Sequence, residues 1–213
     1  MSESLGTSLS VNLAKKIRQI WSFHGGIKLA GHKNLSNHHE VTQAELPARL
    51  IMPLLQHIGH AAEPIVKVGD KVLKGQLIAH AEGPISAPVH ASSSGMVIAI
   101  EDHAIPHPSG LNSPCIIIET DGRDEWAELS PLIHQHSELR SVTKEEIREK
   151  IAAAGIVGLG GATFPSAAKL NPHQHSIETI VINAAECEPY ITCDDMLMRT
   201  RPEEIIQGIR VLM

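Results

Sequence analysis

The chain has 213 residues, enough for one large or two small domains, and its 42% hydrophobic and 20% charged content points to a packed core and excludes wholesale disorder. The formal net charge is −6 and five residues are aromatic (Trp21, Phe23, Trp126, Phe164 and Tyr190). That balance excludes a basic, base-stacking footprint, so no nucleic-acid partner is expected, and any core is aliphatic.

The first 20 residues carry Leu13, Ile17 and Ile20 at helical spacing, with Lys15, Lys16 and Arg18 as a small basic cluster. The cluster reads as a solvated helix face, with contact to anionic lipid as the sharper alternative. No apolar run approaches the roughly 20 residues of a membrane helix, and the basic-then-apolar layout of a secretory signal is missing. The expected location is cytoplasmic, peripheral to a membrane. From Trp21 to Val41 the chain is rich in Gly, His and Asn and reads as irregular. Residues 1–41 are therefore expected to form an N-terminal extension.

Residues 42–125 read as an all-β module. Turn signals recur at Gly69-Asp70, Lys74-Gly75, Glu82-Gly83-Pro84, Ser94-Gly95, Ser109-Gly110 and Asp121-Gly122. Strands are predicted over Ile65–Val68, Gln76–Ala81, Gly95–Ile100 and Cys115–Thr120. The run Val68–Ile78, followed by Ile85–Val89 and Ser94–Val97, resembles the biotinyl/lipoyl barrel-sandwich fold. Carrier domains of that kind present a modifiable Lys at a hairpin tip. The tip here, Glu82-Gly83-Pro84-Ile85, has none, so a docking module is the expected role.

Residues 126–141 read as a linker. Beyond it, Thr143-Lys144-Glu145-Glu146 matches a capping box, Ile147, Ile151 and Ala154 supply one apolar helix face, and Gly155 is a natural stop. The loop Gly158-Leu159-Gly160-Gly161-Ala162-Thr163-Phe164-Pro165 then leads into a helix with Lys169. Thr179–Asn183 is predicted as a buried strand, followed by a polar string to Cys193. A last helix starts near Pro202, with Ile205, Ile206, Ile209 and Leu212 on one side. The predicted fold class is α+β in two domains: the barrel-sandwich module, then the start of an α/β, Rossmann-like domain over residues 142–213.

The cysteines Cys115, Cys187 and Cys193 form no C-x-x-C pair, so no disulfide framework, iron–sulfur site or zinc site is visible. Fourteen histidines include His38-His39, His134/His136 and His173/His175, which read as exposed loop residues, and no metal site is assigned. Two segments carry chemistry. A glycine loop entering a helix lets backbone approach a phosphate or a flat ring, and the free N–H groups favour an anion. The segment Asn183-Ala184-Ala185-Glu186-Cys187-Glu188-Pro189, placed after a strand, gathers an amide and two carboxylates suited to a ring edge and ribose hydroxyls.

Taken together, Gly-x-Gly-Gly-Ala-x-Phe-Pro-x-x-x-Lys and Asn-Ala-x-Glu-x-Glu-Pro resemble the FMN- and NADH-binding subunit of respiratory complex I. The nearer resemblance is to the RnfC/RsxC family of the Rnf (Rsx) ion-translocating electron-transport complex. It is carried also by Phe23-His24-Gly25-Gly26-Ile27, Pro53–Gly59 and the Val68–Gln76 turn segment, and it spans residues 21–213.

The resemblance implies that Gly158, Gly160 and Gly161 line FMN, with Ala162 in the same loop, and that Lys169 lies near the phosphates. It implies that Asn183 and Glu186 contact the flavin, that Phe164 stacks on the nicotinamide nucleotide and that Glu188 contacts that nucleotide. No side chain is implied as an acid or base. Leu159 and Ala185 stand where complex I has Arg and Asp, removing two polar contacts. The family continues with a further flavin-contacting segment and Cys-rich motifs for two 4Fe–4S clusters, so this chain is expected to be a fragment that binds little flavin alone. The implied partners are NADH and the other subunits of the complex, at the cytoplasmic face of the bacterial inner membrane. The competing reading is a non-catalytic docking scaffold. A plain dehydrogenase is disfavoured because the loop lacks G-x-G-x-x-G spacing.

Overall fold

The computed structural model describes residues 29–107, 109–131, 142–170 and 178–213. The expected N-terminal helix, the Phe23–Ile27 stretch, most of the linker and the His134/His136 and His173/His175 pairs lie outside the described residues. The chain divides into two compact units, one of Met1–His39 with Glu186–Cys193 and one of Glu40–Ala185 with Asp194–Met213.

In the larger unit, β1 (Arg49–Pro53), β7 (Asn112–Thr120), β6 (Gly95–Ala104) and β3 (Lys71–Val72) form one sheet in the order β1-β7-β6-β3. A second sheet has the order β2-β4-β5, from Glu63–Pro64, Leu77–His80 and Val89–His90. Every strand pair within the two sheets is antiparallel. β7 lies between β1 and β6, and its Cys115–Ile118 stretch is buried throughout. A continuous apolar run is the signature of such a covered strand. The core is aliphatic as expected: Leu54, Val72, Ile78, Val89, Val97, Ile116 and Ile118, with Ala62, Ala79 and Ala91 filling the narrow places. Each large member contributes about 1.5–3 kcal/mol by leaving water.

The strands predicted over Gln76–Ala81, Gly95–Ile100 and Cys115–Thr120 form, the last two longer than expected. The first predicted strand is displaced. Glu63–Pro64 pairs with β4, while Ile65–Lys67 belongs to no strand, although the Ile65 N–H still reaches the Ile78 carbonyl at 3.0 Å. β1 has no counterpart among the predicted strands. Ser94-Gly95 is no turn: Gly95 opens β6, where a Cβ would lie 2.1 Å from the Glu119 carbonyl oxygen. Glycine is needed there for strand approach. The preceding Ser93 and Ser94 are fully buried, and their hydroxyls donate to Asp124 at 2.8 Å and Asp121 at 2.7 Å. The same Asp124 takes Lys74 at 2.5 Å, and the Lys74 ammonium lies 4.9 Å from the Trp126 ring centre. Those bonds hold both carboxyls below their ordinary range, Asp124 through Lys74 and Ser93, and Asp121 through Ser94.

After the strands come helices α1 (Lys144–Ala153), α2 (Ser166–Lys169), α3 (Cys193–Thr200) and α4 (Pro202–Leu212). The expected capping box forms. The Thr143 hydroxyl accepts from the Glu146 N–H at 3.2 Å, and the Glu146 carboxylate accepts from the Thr143 N–H at 2.7 Å. Gly155 follows α1 with φ +67°, the left-handed stop. One expectation fails. Thr179–Asn183 forms no strand, and Val181 is 84% exposed. A strand needs a neighbour for its N–H and C=O groups, and no described residue pairs with this run. The α/β, Rossmann-like layout is therefore not formed among the described residues. Helix α3 is an addition to the predicted elements, although Thr192 before Asp194-Asp195 is a start signal.

Replacing Gly95 by Ala is expected to destabilise the fold by about 1–3 kcal/mol through overpacking. Urea unfolding reads this as a lower midpoint with unchanged slope. An unchanged midpoint would mean that β6 can draw away from Glu119 without loss.

Candidate functional site

The glycine loop is built by its two ends. Val157 pairs with Pro165 as an antiparallel bridge, and the Gly158 N–H donates to the Phe164 carbonyl at 2.9 Å. The Ser166 N–H reaches back to the Ile156 carbonyl at 2.9 Å, and the Thr163 N–H closes the tip onto the Gly160 carbonyl at 3.0 Å. Between these bonds, Leu159, Gly160, Gly161 and Ala162 stand exposed, with Leu159 95% accessible.

The loop's internal packing does not demand the tip glycines. A Cβ at Gly160 or Gly161 would meet nothing within 4 Å, and neither residue has positive φ. The open space in front of them admits a phosphate or a ring close to the backbone, so the residues present fit a flavin or nucleotide. At Gly158 a Cβ would come to 3.0 Å from the Lys169 Nζ, whose ammonium lies 5.8 Å from the Phe164 ring centre. The structure thus brings Gly158, Phe164 and Lys169 together.

The loop is seated on the β module through Gly155. A Cβ there would lie 2.6 Å from the Pro88 carbonyl oxygen and about 3.5 Å from the His90 ring. A cavity of about 230 Å³ opens beside this contact, lined by Met52, His57, Val89, His90 and, from the loop side, Leu159 and Thr163. His57 is buried. Its Nε2 accepts from the Ala87 N–H at 3.0 Å, and its Nδ1 donates to the Ile58 carbonyl at 3.0 Å. Burial holds the His90 pKa below its ordinary value, opposed more weakly by a hydrogen bond to the Ala153 backbone. His57 lies in the Pro53–Gly59 stretch that carries the resemblance, though no role was expected of it, and His90 lies in none of the quoted stretches.

The second segment starts with Asn183, whose Oδ1 accepts from the Ala185 N–H at 3.0 Å in a local turn. In the smaller unit, the Glu186 carboxylate accepts from the Cys193 thiol at 3.4 Å. The Glu188 carbonyl and the Ile191 carbonyl both accept from the Lys33 ammonium at 2.7 Å. Tyr190 donates its N–H to the Gly31 carbonyl at 2.7 Å, stacks on His32 at 4.9 Å and receives the Ser36 hydroxyl on its own carbonyl. The Glu188 side chain is exposed. Gly31, Lys33 and Ser36, within the Trp21–Val41 stretch read as irregular, therefore clamp the carboxylate segment by its backbone.

Comparison with known proteins assigns two family domains to this chain. Residues 21–123 match the family model of the RnfC barrel sandwich hybrid domain. Residues 151–213 match the Nuo51 FMN-binding domain. The class so defined joins a barrel-sandwich hybrid domain to residues of an FMN-binding domain. Three relatives are named as the C component of an ion-translocating oxidoreductase complex. The one from Rhodobacter capsulatus is 51% identical over 195 residues, covering 91% of this chain and 37% of the relative. Those from Pasteurella multocida and Vibrio cholerae are each 45% identical, over 91% and 92% of this chain and 23% and 25% of the relatives. The chain belongs to the RnfC family, and it spans between about a quarter and just over a third of these relatives' length. No helix among the described residues is long and apolar enough to cross a membrane.

A folded-state pKa below the ordinary 6.5 means that His90 adds stability above that value, and that the contribution is lost as pH falls through the lowered folded value. His90→Gln should therefore flatten the acid side of the melting-temperature profile between about pH 5 and 7. Parallel profiles for the two proteins would show that the ring charges freely in the folded state.

Proposed function

We propose that the full-length protein oxidises NADH through FMN held at the glycine loop and delivers electrons to two 4Fe–4S clusters carried outside this chain. It works as a peripheral member of an ion-translocating membrane complex, on the cytoplasmic face of the inner membrane, beside the other subunits. The observation that carries this reading is the open glycine tip, lying inside the segment that matches an FMN-binding domain. The domain division belongs to the same reading: extension 1–41, barrel-sandwich module 42–125, linker 126–141 and the flavin domain from 142 onward.

The chain's own residues have separate tasks. Gly158, Gly160, Gly161 and Ala162 offer backbone to the flavin at close range. The Lys169 ammonium, beside Gly158, supplies positive charge for its phosphate. Phe164 gives an apolar face for the nicotinamide nucleotide. Asn183 and Glu186 hold the flavin side, and Glu188 holds the nucleotide. FMN itself supplies the conversion between two-electron and one-electron chemistry, and the protein supplies position and electrostatics.

The test is a fluorescence titration of FMN into this chain and into a version continued to the relatives' length, with and without NADH. Quenching is expected in the long version, with little in the short one. Gly160→Val should abolish quenching while leaving the melting temperature unchanged, because a Cβ there meets no protein atom within 4 Å. Retained flavin in the Val variant, or no binding by the long chain, would favour the docking-scaffold reading instead.

A further inference from the structure

The tip of the β4–β5 hairpin, where a carrier domain would show its lysine, holds a different group of side chains. His80 ends β4 and pairs across the sheet with Glu63 of β2. The His80 Nε2 lies 2.7 Å from the Glu82 carboxylate and 3.8 Å from the Glu63 carboxylate. One ligand atom from each of the three falls within 4.8 Å of the others. A four-coordinate ion with bonds of about 2.05 Å needs ligand atoms about 3.3 Å apart. Rotation of the two exposed Glu side chains closes that difference.

We propose that Glu63, His80 and Glu82 form a binding site for a first-row divalent cation of the Zn2+ type, fastening strand β2 to the hairpin tip. The donor set is one imidazole nitrogen and two carboxylate oxygens, which suits such ions. The two carboxylates match the ion's two charges. The half-exposed position leaves coordination places for water. The backbone around the site is already fixed. The Ser86 hydroxyl accepts from the Glu82 N–H at 3.1 Å and donates to the His60 carbonyl at 2.9 Å. The His60 N–H donates to the Ile85 carbonyl at 2.9 Å, and the His60 ring lies against Gly83, where a Cβ would come within 2.8 Å of it. The site is thus held by bonds independent of its ligands. It is separate from the glycine loop and independent of the flavin reading.

The experiment uses the whole 213-residue chain, isotope-labelled and freed of metal by chelation. Co2+ is added as a paramagnetic stand-in while amide resonances are followed, and Zn2+ affinity is measured by calorimetry. The expected result is broadening centred on Glu63, His80 and Glu82 at one equivalent, reversed by Zn2+. His80→Ala and the shape-preserving Glu82→Gln should each weaken Zn2+ at least about tenfold, with metal-free melting temperatures unchanged. Broadening centred only on other histidines, such as His38 and His39, would overturn the proposal. So would Zn2+ affinity that stays within about twofold in both variants.

Discussion

The close approach of Gly155 to the Pro88 carbonyl is the constraint on which the glycine loop's position depends. Helix α1 must stop where its axis meets the β module, and only a residue without Cβ, at positive φ, can stop there. From that point the chain has three residues before the loop's tip begins. The Val157–Pro165 bridge and the Gly158–Phe164 bond then turn it back. The capping box at the other end of α1 fixes where the helix starts, so its length is set at both ends. The β module thus acts on the loop through the Gly155 junction and one short helix, with His90 packed beside Gly155 and hydrogen-bonded to the Ala153 backbone.

A loop constrained at its ends and free at its tip is suited to binding. The bonds at Gly158, Thr163 and Ser166 remove conformational entropy before any ligand arrives, while Gly160 and Gly161 keep their N–H groups and the space in front of them. The carboxylate segment follows a related principle. Lys33, Ser36 and Gly31 hold residues 188–191 by backbone carbonyls and N–H groups, which leaves the Glu188 side chain outside those bonds. In both places the main chain carries the architecture.

What was legible in the sequence was local. The Thr143–Glu146 box, the Gly155 stop, the Pro202 start and most glycine turns are decided within a few residues, and they formed. The aliphatic core followed from the near absence of aromatic residues. What failed was decided by distant partners. Thr179–Asn183 has the composition of a strand, yet composition cannot supply a neighbour. β1 was hidden because Arg49–Pro53 ends in proline and shows no clean alternation; it becomes a strand through its register with β7. The clamp by Lys33 joins positions 155 and 158 residues apart. The Glu63–His80–Glu82 group shows only His-x-Glu in sequence, and its third member arrives through the β2–β4 pairing. The glycine loop itself was legible, but the freedom of its tip was not, since the same letters describe a tightly packed turn.

The apolar Leu159 at the tip bears on how such a loop would hold a flat ring. In the related pattern an Arg stands there, and a charge-assisted hydrogen bond contributes about 1.5–3 kcal/mol. Leu159 makes no such bond, but it is almost wholly exposed, and covering it would contribute about 1.5–3 kcal/mol by removing its surface from water. The two magnitudes are equal, so the exchange need not weaken binding. It changes the character of the contact. An Arg contact is directional and weakens with salt, whereas a Leu contact is non-directional and insensitive to salt. In the proposed complex, position along the ring would then come from the backbone of Gly160 and Gly161 and from the ammonium of Lys169.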